Sequence, residues 1–459
     1  MKTPENFDVL VVGAGIAGLQ SALDLADQGF SVGLVEREPS IGGAMIGLSK
    51  VFPTLDCSSC ITTPKMAAAA HHPNITTLTY TEVTEVRRDG EAFRAVLHRK
   101  PRYVVEDDCI GCRQCEYACP VEVEDEFEGG MGARRAAYIP FTNAIPQIAV
   151  IDPDECILCG RCVTACPTDA VKLDQVPETV EVVAQAVIAT TGWKLTPIDA
   201  KPEYHGTEIT NVLAPTQMER LLAPHGPYGR VLRPSDGKIP ESVAFVQCAG
   251  SRDQTLGVPY CSRVCCMYAI KEAMLLSGSL PFADLTIYYM DIRAFGKGYE
   301  EFYRSAKAMG IEFVKGKVAR LSEAGDQGVI VRVERIDQLG QVEERKHDLV
   351  VLSLGLRPAE DVGRLAALEK GEDGFAEVPR PKDAPCRTSQ EGFFVAGTVT
   401  GPKDIVDTIV EAGAAATEAS LYLRGRGVAG TVAGPVAGPV VAAEPDVRED
   451  AAEAEEVRA

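Results

Sequence analysis

The sequence predicts an α/β protein with two nucleotide-binding-type domains and an inserted α+β domain. Three observations lead to this prediction. The chain begins as strand, glycine-rich turn and helix; a downstream segment begins similarly but lacks the glycines; and two cysteine-rich runs of identical spacing lie between them. A length of 459 residues is sufficient for two or three domains, each with its own core.

Composition limits the classes of function. With 46% hydrophobic and 24% charged residues, the chain is expected to be soluble and globular. A net charge of −20 argues against nucleic-acid binding, which needs a basic face. No apolar stretch approaches the roughly 20 residues of a membrane-spanning helix. Fifteen cysteines without an apolar N-terminal leader favour metal or redox chemistry in a reducing cytoplasm.

The first element is a dinucleotide-binding unit. A strand (7–12), a turn, a helix (19–28) and a second strand (31–35) follow one another, and Glu36 ends the second strand. The turn has the GxGxxG spacing, on Gly13, Gly15 and Gly18. Glycines allow a tight turn close to a pyrophosphate at the helix N-terminus, and the acid accepts hydrogen bonds from ribose.

Two further features resemble the two-dinucleotide-binding flavoproteins. Gly42 and Gly43 follow Glu36 after five residues, and the late segment TSQEGFFVAGT contains Gly397 and Thr398, the threonine standing where that family usually has an acid. The resemblance implies FAD rather than NAD. The implied FAD-binding residues are Gly13, Gly15, Gly18, Glu36, Gly42, Gly43, Gly397 and Thr398.

Composition also predicts the order of the domains. A hairpin (79–86 and 92–98) and a strand (180–191) flank a segment rich in Cys, Asp, Glu and Pro, which we interpret as an insertion. The predicted division is an FAD-binding domain in three parts (1–100, 179–240 and 351–427), an inserted two-cluster domain (101–178), a degenerate NAD(P)-binding-like domain (241–350) and a disordered acidic tail (428–459).

The insertion contains two runs with the spacing C-x2-C-x2-C-x3-C-P. Bacterial ferredoxins with this spacing bind two 4Fe–4S clusters, each held by three cysteines of one run and the last cysteine of the other. Structural zinc would not need this doubled pattern. The predicted ligand sets are Cys109, Cys112, Cys115 and Cys166 for the first cluster, and Cys156, Cys159, Cys162 and Cys119 for the second.

Four more cysteines follow a predicted strand (242–247), where a second nucleotide-binding turn is expected: Cys248, Cys261, Cys265 and Cys266. The GxGxxG glycines are missing at this turn. Arg252 and Arg263 are close in sequence and favour anionic thiolates, so we predict a third 4Fe–4S cluster. The alternative is a set of small buried thiols.

These segments together resemble the A-type subunit of heterodisulfide reductase, from residue 7 to about 425. The resemblance rests on C-x12-C-x3-C-C, the ferredoxin insertion, DCSSCITTPK (56–65) and VAGTVTGPKDI (395–405). It implies a thioredoxin-reductase-like flavoprotein oxidoreductase that binds FAD. It also implies that Lys271 lies beside the flavin and stabilises the reduced form, whereas the bare sequence favours a solvated helix lysine. Fuller members have an extra N-terminal domain and a C-terminal ferredoxin domain, which these 459 residues lack.

Three cysteines remain. Cys57 and Cys60 follow the second glycine pair, roughly where flavin disulfide reductases have a reactive pair. They are either a redox-active dithiol or cluster ligands, and hence candidate catalytic residues with Lys271, or two structural thiols. Cys386 is isolated and is expected to be structural.

The resemblance implies a cytoplasmic electron-transfer protein that works with B- and C-type subunits. It would pass electrons, and by bifurcation split them, between a two-electron donor, ferredoxin and a disulfide-type acceptor; a homodimer is a family expectation. One alternative is the flavoprotein subunit of a quinone-interacting membrane-associated oxidoreductase. Another is a non-catalytic electron wire with a structural flavin. A stand-alone NAD(P)H oxidoreductase is disfavoured because the second phosphate loop is absent.

Overall fold

The structure, a computed structural model, describes residues 5–359, 368–428 and 430. The N-terminal elements are β1 (Glu5–Val12), α1 (Ile16–Ala26), β2 (Val32–Val35), α2 (Ser58–His71), β3 (Ile75–Leu78), β4 (Thr81–Asp89) and β5 (Ala92–Arg99). The next are α3 (Gln114–Ala118), β6 (Glu122–Glu124), β7 (Ala133–Arg135), β8 (Ala137–Tyr138), β9 (Val150–Ile151) and α4 (Arg161–Ala165).

The remaining elements return to longer strands and helices. They are β10 (Glu178–Ala189), β11 (Trp193–Leu195), β12 (Val212–Leu213), α5 (Pro215–Leu222), β13 (Ser242–Ala249), α6 (Cys265–Ser279), β14 (Asp284–Tyr289), α7 (Tyr299–Ala308), β15 (Glu312–Glu323), β16 (Val329–Arg335), β17 (Gln341–His347), β18 (Leu349–Leu354), β19 (Leu356–Pro358), β20 (Phe393–Val395) and α8 (Ile405–Gly425).

The first sheet has seven strands. Its order is β3-β2-β1-β10-β5-β4, and β20 pairs with the end of β10. The pairs between β3, β2, β1, β10 and β20 are parallel, and β5 joins β10 antiparallel. Residues 9–12 are buried at the centre of this sheet, which explains their continuous apolar run. Helix α1 begins at Ile16, three residues before the prediction, because Ala17 already packs in the core.

The cysteine-rich segment is inserted into an antiparallel strand pair. Glu178 at the start of β10 pairs with Arg99 at the end of β5, so residues 100–177 leave and re-enter the first sheet at one point. Two short helices, α3 and α4, pack together there with the two-stranded ladders β6-β7 and β8-β9. A core of its own, which includes Val104 and Val171, lies beneath the cysteines.

The second sheet has the order β12-β18-β13-β14-β15-β16-β17. It is parallel from β12 to β15 and antiparallel from there to β17. Helices α5, α6 and α7 cover one face through a cluster that includes Met218, Ile270 and Phe302. The antiparallel pair β11-β19 forms a separate two-stranded sheet.

The predicted tail, 428–459, lies outside the described residues except for positions 428 and 430. Within the described part of the chain, no helix has both the length and the apolar character that crossing a membrane requires.

Candidate functional site

A cleft of about 410 Å³ lies between the first and second sheets. Five of the eight residues expected to bind FAD line it: Gly13, Gly15, Glu36, Gly43 and Thr398. The other three, Gly18, Gly42 and Gly397, lie behind the wall and shape the turns that form it. The loop of residues 190–193 and the N-terminus of α8 complete the lining.

Glycines are required in this wall because the backbone segments approach closely. A Cβ atom at Gly43 would lie 2.7 Å from Gly15 Cα, and one at Gly18 would lie 1.8 Å from the Gly13 carbonyl oxygen. Gly13 and Gly43 also have φ values of +102° and +59°, which glycine adopts readily. A backbone cradle without side chains at the start of α1 fits the pyrophosphate of a dinucleotide.

Glu36 is held rigidly on the cleft wall. Its Oε2 accepts a hydrogen bond from Ala14 N–H at 2.8 Å, and its Oε1 accepts one from Glu38 N–H at 3.1 Å. Burial raises the pKa of this carboxyl, and the two N–H donors oppose the rise. The position fits the predicted contact with ribose hydroxyls.

The late glycine loop is fixed by a half-buried carboxylate, that of Glu411. Gly397 has a φ of +78°, and its N–H donates to Glu411 Oε2 at 2.6 Å. Lys403 Nζ donates to the same oxygen at 2.5 Å. Helix α8 then begins with Asp404 as its N-cap, whose side chain accepts from Asp407 N–H at 2.8 Å. These bonds hold Thr398 at the cleft.

Lys271 is buried in the cleft wall, only 1% exposed. The alternative of a solvated lysine is therefore wrong. Its Nζ forms an ion pair with Oε1 of Glu219 from α5. The other oxygen, Oε2, accepts from Ser49 N–H at 3.0 Å and from Ser49 Oγ at 2.6 Å. This network joins the two nucleotide-binding-type domains.

Two acids in this wall were not anticipated from the sequence. Glu219 and Glu272 are 3% and 0% exposed, and both line the cleft beside Lys271. No motif contains them. The sequence did contain one signal, the adjacent residues Lys271 and Glu272 in the otherwise apolar helix α6. Charged residues are almost never fully buried unless they are paired, so such a helix indicates a partner for the charge.

The first predicted cluster set surrounds one small cavity. A cavity of about 20 Å³ in the insertion is lined by four cysteines: Cys109, Cys112, Cys115 and Cys166. Burial raises the pKa of Cys115 to about 12, and the neighbouring Cys109 and Cys112 add to this effect. The structure thus brings together three cysteines of one run and the last cysteine of the other.

The second predicted set has a tight turn at its first cysteine. Cys156 Sγ accepts a hydrogen bond from Leu158 N–H at 3.4 Å, in a turn where Leu158 has a φ of +55° and Gly160 a φ of +73°. Burial raises the pKa of Cys162, and the nearby Cys156 and Cys119 raise it further. Within the described residues, no His, Cys, Asp or Glu side chains converge as a single metal ion requires.

The third cysteine group lies at the end of β13 and the start of α6. Cys261 Sγ accepts from Arg263 N–H at 3.4 Å, and Arg263 has a φ of +62°. This turn repeats the Cys156–Leu158 turn of the ferredoxin module. Burial raises the pKa of Cys248, Cys265 and Cys266, and charge on neighbouring cysteines of the group raises each further.

Cys57 and Cys60 lie at the N-terminus of α2. Cys57 Sγ is the N-cap and accepts from Cys60 N–H at 3.3 Å. A hydrogen bond with the Cys60 side chain lowers the pKa of Cys57, and the same bond raises the pKa of Cys60. Cys386 is different. It is fully buried beside α8, and burial raises its pKa to about 12, as expected for a structural thiol.

Three parts of the chain match known families. Residues 8–55 match FAD dependent oxidoreductases, and residues 108–170 and 148–194 match two families of 4Fe-4S dicluster domains. The chain therefore combines an FAD-type domain with a 4Fe–4S dicluster domain and is an oxidoreductase by class.

Curated relatives match nearly the whole chain. The A-type subunit of the H(2)/formate:CoB-CoM heterodisulfide,ferredoxin reductase of Methanococcus maripaludis is 47% identical over 418 residues, 90% of this chain and 63% of the relative. That of the H(2):CoB-CoM heterodisulfide,ferredoxin reductase of Methanothermobacter thermautotrophicus is 46% identical over 417 residues, 90% of this chain and 63% of the relative. The chain thus spans less than two thirds of the length of these relatives.

Solved structures confirm the predicted fold. The thioredoxin reductase of T. acidophilum has a TM-score of 0.52 at 17% identity, covering 92% of this chain and 99% of its own. That of Lactococcus lactis has a TM-score of 0.53 at 16% identity, covering 91% and 99%. At this identity the likeness shows the fold alone, which is thioredoxin-reductase-like with an inserted dicluster domain.

Proposed function

The chain is a relative of the A-type subunits of heterodisulfide reductases, and on that premise we propose that it is the FAD and iron–sulfur electron-transfer subunit of a heterodisulfide-reductase-like complex. One observation carries the proposal: helix α6 joins the third cysteine group to the cleft. Cys265 and Cys266 are its first residues, and Lys271 lines the cleft less than two turns later. An electron carrier in the cleft and one at the cysteines would be neighbours.

The chain's own residues divide the work of binding. The turns at Gly13 and Gly43 would hold the pyrophosphate of FAD, Glu36 would bind its ribose, and the loop at Thr398 would line the far side. Lys271, paired with Glu219, presents a cation in a wall that excludes water. When bound, FAD would supply two-electron chemistry and the clusters one-electron chemistry, so the combination converts one into the other.

We assign the third 4Fe–4S cluster to Cys248, Cys261, Cys265 and Cys266. The support is the turn at Cys261, whose N–H···S bond and left-handed second residue match the turn at Cys156. The raised pKa values of Cys248, Cys265 and Cys266 are compatible with this assignment, because a thiol that coordinates iron loses its proton.

The partners belong to the same proposal. The relatives are named as A-type subunits, and we propose B- and C-type subunits, a two-electron donor and ferredoxin as partners of this chain, in the cytoplasm, with bifurcation and homodimerisation as expected features. Apolar side chains beside the cluster cysteines support docking at the insertion. Ile110, Ile157 and Leu158 are 65–72% exposed.

The remaining dithiol is proposed to be redox-active. The asymmetry between Cys57 and Cys60 is that of a nucleophilic and a resolving thiol. Lys50 forms a backbone bridge with Cys57 and is one of the residues that line the cleft, so the pair lies next to the cleft wall. Its disulfide would accept two electrons and two protons, so that the dithiol form would store one electron pair.

The experiment that tests the assignment is the iron, acid-labile sulfide and FAD content of anaerobically purified protein. We expect about 12 irons per FAD, falling to about 8 in Cys265→Ser, because each cubane holds four irons. Cys386→Ser removes a buried cysteine outside the group and should retain all 12. About 8 irons per FAD in both the wild type and Cys265→Ser would contradict the assignment of a third cluster. Flavin that stays oxidised under every donor while the clusters cycle would favour a non-catalytic electron wire.

A further inference from the structure

Helix α6 places in the cleft wall a carboxyl group whose oxygens accept no hydrogen bond from any described residue. Glu272 is 0% exposed, and within the described residues neither of its carboxyl oxygens has a hydrogen-bond donor. It lines the same cleft as the expected FAD-binding residues. A buried, unpaired carboxylate is strongly disfavoured relative to the neutral acid.

The charges around Glu272 do not relieve this cost. Lys271 is already paired with Glu219, and the second oxygen of Glu219 is taken by Ser49. A negative charge on Glu272 would therefore be the second on two adjacent acids that share one lysine. Tyr268 lies one turn earlier on α6, but its hydroxyl donates to the Leu354 carbonyl at 2.8 Å.

The titratable groups whose charges act on Glu272 oppose each other. Burial raises its pKa well above the ordinary value, the charge of Glu219 on α5 raises it further, and Lys271 on its own helix lowers it. A hydrogen bond from the neutral Glu272 acid to the Glu219 carboxylate also raises this pKa. The neutral acid is thus the resting form, and the lysine is the group that could accommodate a negative charge if one developed.

We propose that Glu272 is a proton-carrying residue of the cleft, which holds a proton while the cleft's flavin is oxidised and releases it when the flavin is reduced. The inference deepens the proposed function and rests on it. Two reduced iron–sulfur clusters supply one electron each, the O–H bond of Glu272 breaks, and its proton goes to the reduced flavin. The carboxylate left behind shares Lys271 with Glu219. Reoxidation returns the proton to Glu272 and the electron pair to the acceptor.

The test uses the full chain, purified anaerobically with its FAD and clusters. The flavin potential is measured by its visible absorbance over a pH series around neutrality. Because Glu272 supplies the proton internally, the wild type should take up almost none from solution, and its potential should hardly change with pH. Glu272→Gln should take up one proton per electron pair and acquire a corresponding slope. Glu418→Gln, an acid on α8 outside the cleft, should behave as the wild type.

Equal slopes in the wild type and Glu272→Gln would overturn the proposal. Infrared difference spectra give a second readout that needs no variant, since reduction should remove a protonated-carboxyl band from the wild type. An oxidised wild type without that band would also overturn it, even if Glu272→Gln does not fold. Failure of the proposed function can be told from failure of the role of Glu272. A chain that binds no FAD contradicts the proposed function. A chain that binds FAD but shows equal slopes contradicts only the role of Glu272.

Discussion

Lys271 Nζ and Glu219 Oε1 form a buried ion pair between residues 52 positions apart, on α6 and α5. Neither side chain reaches bulk water, so each depends on the other for its charge balance. Breaking such a pair from one side leaves an uncompensated charge in the interior, whereas removing both charges does not.

Lys271→Met should therefore lower the free energy of unfolding by about 3 kcal/mol or more. The double variant Lys271→Met/Glu219→Gln should recover part of that loss, because no carboxylate is then left unpaired by the missing lysine. Urea unfolding followed by circular dichroism measures both. Lys238→Met, which removes an exposed pair with Asp236, should cost less than about 1 kcal/mol. The pairing would be contradicted if the double variant lost more free energy of unfolding than the two single variants lose together.

Gly43→Ala should reduce the FAD content of the purified protein, with binding weakened about tenfold or more. The added Cβ would lie 2.7 Å from Gly15 Cα at a backbone φ of +59°. Gly257→Ala is the matched control, since its φ is +67° but nothing lies within 4 Å of the new atom. FAD per chain after gel filtration is the measurement. Equal FAD loss in both variants would mean that backbone strain, and not the cradle, is responsible.

His347 should make stability depend on pH. It is buried with Ser242 Oγ at 2.7 Å and Tyr288 Oη at 2.8 Å, and burial lowers its pKa to about 4. The unfolded chain, with a pKa of about 6.5, binds a proton first as the pH falls. Stability should therefore decrease between about pH 6.5 and 4, by on the order of 3 kcal/mol from this residue.

The measurement for His347 is the urea midpoint across that pH range, in the wild type and in His347→Gln. The variant should lose part of the pH dependence. His225→Gln alters an exposed histidine and should keep the wild-type profile. Identical profiles for all three proteins would show that His347 is protonated as readily in the folded chain as in the unfolded one.

Limiting alkylation near neutral pH should label Cys57 before Cys60. The hydrogen bond between them lowers the pKa of Cys57 and raises that of Cys60, so the thiolate forms first on Cys57 although Cys60 is the more exposed. Peptide mapping by mass spectrometry identifies the labelled site, and Cys60→Ala should slow labelling of Cys57. Cys386, fully buried, should stay unlabelled in the native protein. First labelling at Cys60 would argue against a nucleophilic Cys57.

Much of this arrangement could be predicted because it is encoded locally. Glycine spacing predicted the turns at Gly13 and Gly43, and cysteine spacing predicted which thiols would surround the cavity near Cys109. The acids of the cleft wall could not be predicted in this way. Glu219 and Glu272 acquire their surroundings only when α5 packs against α6, and the sequence of one helix does not specify which residues its charged side chains will face. The solvated interpretation of Lys271 was wrong for the same reason.

The attachment of the insertion has a consequence for how the molecule can vary. Its two ends, at Arg99 and Glu178, are cross-strand partners whose Cα atoms are about 5 Å apart. The two strands are paired here as in a β-hairpin, and the chain that connects them has 78 residues. Because the entropic cost of closing a loop grows only slowly with its length, the pairing of the two strands depends little on the length of this connection. The insertion can therefore change in length without disturbing the sheet, as long as it keeps its contacts with the rest of the molecule, such as the ion pair of Glu128 with the buried Arg220 and the packing of Phe127 against the first core.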